Sequence, residues 1–88
     1  MANWLYFKEE NLPNPVELPE SYREVVLKKP FGKGSYRLRC NILKKSKQTT
    51  LVEAYSRLIR VGGKDGIYWM NINVEPYKRR IPTYYIES

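Results

Sequence analysis

Histidine is absent from this 88-residue chain, and cysteine and aspartate occur once each, as Cys40 and Asp65. Without histidine, neither Ser-His-Asp nor Cys-His activation of a nucleophile can be assembled. A single cysteine excludes an intramolecular disulfide and a cysteine-built metal cluster, and no acidic grouping has calcium or magnesium spacing. No metal or cofactor is therefore expected. Long apolar runs are also missing. Nothing approaches the ~20 residues of a membrane-spanning helix, and the first residues lack the basic and apolar regions of a secretory leader. The expected setting is reducing and cytoplasmic, with no membrane partner.

Catalysis by paired carboxylates would have to use glutamates, most of which lie near the N-terminus. A ribonuclease built on arginine, lysine and tyrosine, with Arg37 polarising phosphate and Glu53 moving a proton, is the enzymatic alternative. The presence of those residue types does not by itself make a site, and the expectation is a protein that is not an enzyme. Gly32-Lys33-Gly34-Ser35 lacks the spacing of a phosphate-binding P-loop and reads as a turn.

What the chain does have is positive charge and aromatic rings. Sixteen Lys and Arg oppose nine Asp and Glu, for a net +7. The distribution is uneven: residues 1–24 carry a net −3 and residues 25–88 a net +10. A concentrated positive field attracts polyanions and accelerates encounter with them; a basic coat kept for solubility is the plainer alternative. Eight tyrosines, two tryptophans and two phenylalanines supply flat rings, and a 42% hydrophobic content suits a folded chain.

Residues 1–19 read as an extended acidic arm, with Pro13, Pro15 and Pro19 opposing helix and Trp4-Leu5-Tyr6-Phe7 as an apolar tip. Docking of that tip on the protein's own body is favoured over docking on a partner or a second copy. Residues 20–88 form the single basic domain. Within it, Glu20 to Lys29 suits a helix or a strand, with strand preferred for Val25-Val26-Leu27. Phe31 to Gly34 is a glycine turn. From Ser35 to Leu43, Tyr36, Leu38, Cys40 and Ile42 alternate with Arg37, Arg39 and Asn41, the period of a half-buried strand.

Residues 50–61 carry two patterns. Thr50 and Glu53 match a capping box, and Leu51, Tyr55, Leu58 and Ile59 follow helical spacing. Against this, Leu58–Val61 and Ile67–Met70 flank a glycine-rich turn like the arms of a hairpin. The hairpin accounts for the glycines and β-branched residues together and is preferred. Ile67 to Val74 is a strand, expected to end at Pro76, followed by a tail that forms an edge strand or an arm. The expected fold is mainly β: a small antiparallel sheet or partly open barrel of SH3 or OB-like size, with one helix at 50–61 as the α+β alternative.

The pattern that stands out is basic residues interleaved with aromatics. Were the strands 35–43 and 67–74 in one sheet, one face would show Arg37, Arg39, Trp69, Asn71 and Asn73. Arginines neutralise phosphates and stack on bases, tryptophan offers a ring, and asparagine reads base edges. Lys44, Lys45, Lys47, Arg60, Lys64, Arg79 and Arg80 would extend the contact surface. The expected function is binding of nucleic acid, DNA or RNA and single strands in particular, through phosphates and stacked bases. The same alternation describes any half-exposed strand. A competing reading is therefore a protein-binding accessory, inhibitor or self-assembling homo-oligomer subunit acting on a nucleic-acid machine. It would be anchored by Trp4, Phe7, Tyr84 and Tyr85 and steered by the separated charges.

Overall fold

The computed structural model describes residues 6–14, 16–30 and 32–87, apart from the side chain of Glu87. Trp4 and Leu5 of the arm's tip, Pro15 and Phe31 lie outside the described residues. The chain is mainly β, a five-stranded mixed sheet that is not closed. In chain order the elements are β1 (Tyr6–Lys8), a 3-10 turn (Glu9–Asn11), β2 (Arg23–Lys28), β3 (Ser35–Lys45), β4 (Thr49–Gly63), β5 (Gly66–Pro82) and a short helix α1 (Tyr84–Glu87).

β4 organises the sheet. It pairs antiparallel with β5 from Thr49↔Pro82 to Gly63↔Gly66. It also pairs antiparallel with β3 through residues 50–54 and parallel with β1 through residues 60–62. β2 lies antiparallel on the far side of β3. The helix considered at 50–61 is therefore absent, and the reason it competed is visible in the burial. Thr50, Val52, Ala54, Ser56 and Leu58 are buried on one side of β4, and Tyr55, Ile59 and Val61 on the other. A strand covered on both faces loses the period of two and reads as a near-continuous apolar run. Of the would-be capping box, Thr50 instead shares a hydrogen bond with Thr83 (2.9 Å), and Glu53 accepts one from the Tyr55 hydroxyl (2.9 Å).

The turn between β4 and β5 consists of Lys64 and Asp65, and Gly66 follows at φ +108°, where a side chain would be strained. β5 does not stop at Pro76, contrary to expectation. It continues to Pro82 across a break in register between Ala54↔Tyr77 and Ser56↔Asn73, so that Val74, Glu75 and Pro76 together oppose Tyr55. A bulge is where a strand tolerates a residue with no N–H to donate. Tyr77 seals it: its hydroxyl donates to the Ser56 carbonyl (2.9 Å), and the Arg57 guanidinium lies 4.7 Å from its ring centroid.

β3 leaves the β4 ladder beyond Cys40↔Ala54. Side chains then take over from backbone. The Arg39 amide donates to Ser56 Oγ (2.9 Å), and Asn71 Nδ2 donates to the Arg37 carbonyl (2.8 Å). The main core comprises Val25, Leu27, Leu38, Cys40, Val52, Ala54 and Ile81, with Tyr85 and Ile86 of α1 packed against it. Burying each of the large aliphatic side chains contributes roughly 1.5–3 kcal/mol. Thr83, itself buried, donates from Oγ1 to the Ser46 carbonyl and from its amide to the Gln48 carbonyl, fastening the C-terminal end to the β3–β4 turn.

The described part of the arm lies on the protein's own sheet. β1 extends it next to β4, Asn73 Nδ2 donates to the Val16 carbonyl (3.1 Å), and Asn41 Nδ2 donates to Ser21 Oγ (3.0 Å).

Ser56→Ala leaves the Arg39 amide without its acceptor, and the expected loss of stability is about 1–3 kcal/mol. Urea unfolding should show a lowered midpoint at unchanged slope. Lys47→Ala, on the exposed turn, should stay within about 0.5 kcal/mol of the parent.

Candidate nucleic-acid interface

The anticipated grouping of Arg37, Arg39, Trp69, Asn71 and Asn73 is divided by the fold. Four of them meet, but largely to satisfy one another. Arg39 donates from Nη1 to Asn73 Oδ1 (2.7 Å), and its Nε lies 3.7 Å from Glu24, which also stands 3.9 Å from Arg37. The Arg39 side chain keeps only 26% of its exposure, against 70% for Arg37. Asn71 and Asn73 are committed to the backbone of residues 37 and 16. Among the described residues, Asn71 Oδ1 is a buried acceptor with no partner. Arg79 is half-buried and donates to the Tyr36 hydroxyl (3.0 Å). Burial by itself would lower its guanidinium, but the Tyr36 and Tyr77 hydroxyls outweigh that and hold it above the ordinary arginine value. Arg79 thus serves the core's rim, and Arg37 is the member of this group most open to solvent.

The remaining cations form two clusters. In the first, register places Lys44 and Arg80 on either side of Leu51, with Lys78 beside Glu53 one step along the same face. Lys44, Lys78 and Arg80 are exposed, and no ion pair reaches them among the described residues. Glu53, the carboxylate beside Lys78, is engaged by Tyr55. Lys45 at the end of β3 and Lys47 in the following turn continue the exposed positive surface.

The second cluster sits where the β4–β5 hairpin turns. Arg60 is exposed on β4 and has two aromatic cross-strand neighbours, Tyr6 on β1 and half-buried Trp69 on β5. Rings and guanidinium therefore share one face in the order Tyr6–Arg60–Trp69. Next to this row lies an open groove of about 580 Å³ lined by Tyr6, Lys8, Glu9, Gly62, Lys64 and Ile67. Its floor depends on glycine. A Cβ at Gly62 would collide with the Tyr6 ring, and one at Gly63 with the Glu9 carboxylate. Tyr6 and Ile67 are 53% and 57% exposed, so the groove shows apolar surface to solvent between its charges.

The two clusters lie on opposite faces of β4 by strand alternation, because Leu51 and Arg60 differ by an odd number of residues. Their separation along β4 is up to about 30 Å at roughly 3.3 Å per residue. Tyr6, Lys8, Ile67 and Lys78 were not anticipated. Tyr6 and Lys8 flank Phe7 in the aromatic segment, and the glycine pair 62–63 was the one sequence signal that a side chain approaches the strand there.

The residues proposed as protein anchors are not adjacent. Phe7 is half-buried beside Val61, whereas Tyr84 and Tyr85 follow Thr83 at the opposite end of β4. Their rings meet edge-on at 4.6 Å; Tyr84 is exposed and Tyr85 packs on the core. Trp4 lies outside the described residues.

Tyr55 links the first cluster to pH. Burial, and after it the hydrogen bond donated to Glu53, raise its phenol above the usual tyrosine value. A raised folded value means that the unfolded chain ionises first. The contribution to stability is complete below about pH 10 and is lost as pH rises through the folded value. Urea titrations between about pH 8 and pH 11 should show a shallower alkaline loss for Tyr55→Phe than for the parent.

No family model, curated protein or solved structure matches this chain, and its function has to be read from the side chains themselves.

Proposed function

We propose that this protein binds nucleic acid without catalysis, holding phosphates on the Lys44, Lys78 and Arg80 surface and unpaired bases against the Tyr6–Arg60–Trp69 row. The observation that carries the reading is the first cluster: three exposed cations on one sheet face, none paired to a carboxylate among the described residues. Charges held in this way are available to a polyanion, and each phosphate they neutralise releases condensed counterions. Leu51 between Lys44 and Arg80 lets the two long side chains lie over apolar surface with their heads in water.

The aromatic–arginine row adds what phosphate contacts cannot, an affinity for base faces. Stacking on a ring contributes roughly 1–3 kcal/mol per base and requires bases that are not already paired. The substrate class is therefore a single strand, or a duplex with exposed bases. Because the two clusters are on opposite faces, a long strand reaches both and a short one occupies only one.

The reading is tested by fluorescence anisotropy of labelled single strands over a range of salt. Affinity should fall linearly in the logarithm of salt, by about 0.7 logarithmic units for each phosphate neutralised. Replacing Lys44, Lys78 and Arg80 together by alanine should reduce that slope by about 2 and weaken all sequences alike. Undetectable binding at low salt would refute the proposal.

A further inference from the structure

Of the three cations in the first cluster, Lys78 alone faces a carboxylate. The residue between Lys44 and Arg80 is Leu51, whereas Lys78 lies directly opposite Glu53. Unlike charges so placed on neighbouring strands ordinarily pair. No ion pair joins these two.

The reason lies on the other side of β4. Tyr55 is two residues from Glu53 on the same face of the strand, and its hydroxyl donates to Glu53 Oε1 (2.9 Å). That hydroxyl accepts in turn from Asn41 Nδ2 (3.0 Å), and Asn41 is the residue opposite Glu53 on β3. β3 and β5 flank this part of β4 on its two sides, each at roughly 4.8 Å. A hydroxyl within reach of Asn41 stands toward β3. The carboxylate bound to it is therefore drawn away from β5 and Lys78.

The bonds also have a fixed direction. An amide –NH2 only donates, and Asn41 Nδ2 donates as well to Ser21 Oγ (3.0 Å), just ahead of β2. Accepting from Asn41, the Tyr55 hydroxyl directs its own proton to Glu53. Tyr55 is 7% exposed, and its packed ring keeps the hydroxyl in place.

We infer that Tyr55 is a positioning residue for the phosphate surface: backed by Asn41, it holds the Glu53 carboxylate on the β3 side and so keeps Lys78 unpaired for a phosphate. The consequence rests on the nucleic-acid reading above; the geometry does not. Tyr55 acts on Lys78 through Glu53 and touches no ligand itself. Released from Tyr55, the carboxylate would pair with Lys78 across the ladder, and the ligand would lose one of three cations.

Two measurements on the full chain test this. The first uses no nucleic acid: trace acetylation with acetic anhydride, read for each lysine by peptide mass spectrometry, with Lys64 of the β4–β5 turn as internal reference. An amine beside a carboxylate stays protonated to higher pH and acetylates more slowly. Tyr55→Phe should slow Lys78 about twofold to threefold relative to Lys64, the size of an exposed ion pair. Adding Glu53→Gln to Tyr55→Phe should restore the parent rate.

The second is the anisotropy salt titration with a dT oligomer of about ten nucleotides. Tyr55→Phe should lower the slope by up to about 0.7, the share of one phosphate, which is about fivefold in affinity at about 0.1 M salt. The double variant should recover the parent slope. Glu53→Gln alone should change it little, because the carboxylate is already held off Lys78. An unchanged Lys78 rate in Tyr55→Phe, or an unchanged slope where strands bind, would overturn the inference and leave the proposed function standing. A slope that falls in Tyr55→Phe and stays low in the double variant would overturn it too, since the loss would then not run through Glu53. Absence of binding to every strand would refute the proposed function, and the acetylation rates would still decide whether Tyr55 keeps Lys78 unpaired.

Discussion

Where β4 falls out of register with β5 between Ala54 and Ser56, and where its ladder with β3 ends at Cys40↔Ala54, backbone groups that continuous ladders would have paired must find other partners. An unpaired amide in a buried position costs about 1–3 kcal/mol, and a domain of this size has little stability to spare. The solution is a set of polar side chains in place of neighbouring strands. Ser56 Oγ receives the Arg39 amide, Asn71 donates to the Arg37 carbonyl, and the Tyr77 hydroxyl donates to the Ser56 carbonyl. These bonds hold the first half of β3 against the hairpin after its ladder with β4 has ended. The position of Arg39, and through Asn73 that of the acidic arm, follows from them.

That arrangement also sorts the cations by task. Arg39 and Arg79 are drawn into hydrogen bonds at the edges of the core, and Arg57 into contact with the Tyr77 ring. Lys44, Lys78 and Arg80 remain in solvent on one face, and Arg60 has Tyr6 and Trp69 as its cross-strand neighbours on the other. The number of positive charges is thus a poor guide to which cations stay available to a ligand. The useful guide is which of them lack an internal partner. The acidic residues divide similarly. Glu24, on β2 rather than in the arm, pairs with Arg37 and Arg39 of β3, whereas Glu9 is carried by β1 and the 3-10 turn to the hairpin's end.

The strands expected at 35–43 and 67–74 were legible from alternation and β-branched runs, the Val25-Val26-Leu27 run only inclined 20–29 toward strand over helix, and the hairpin was legible from its glycines. Two features misled. Burial of β4 on both faces mixed the signatures of strand and helix, so a Thr50–Glu53 capping box could be read where both side chains serve the sheet. Pro76 suggested a strand end because a proline inside a regular ladder removes a donor. The bulge in which that loss is harmless depends on register with β4, which periodicity does not encode. The proposed surface was only partly legible. Its cations were visible, but Tyr6, Lys8 and Lys78 join it through cross-strand neighbours distant in sequence.

The amino-acid sequence by itself determined the chemical character of this protein: no histidine, one cysteine, a positive excess confined to residues 25–88, and strands separated by glycine turns. These are properties of composition and of local backbone preference, which act within a few residues. Only the tertiary structure decided which arginines are consumed internally, that Tyr6 and Trp69 flank Arg60, and that the Glu9 carboxylate lies at Gly63. Each of these depends on strand register and on a ladder break closed by side chains. A shift of one residue would turn every side chain of a strand to the opposite face.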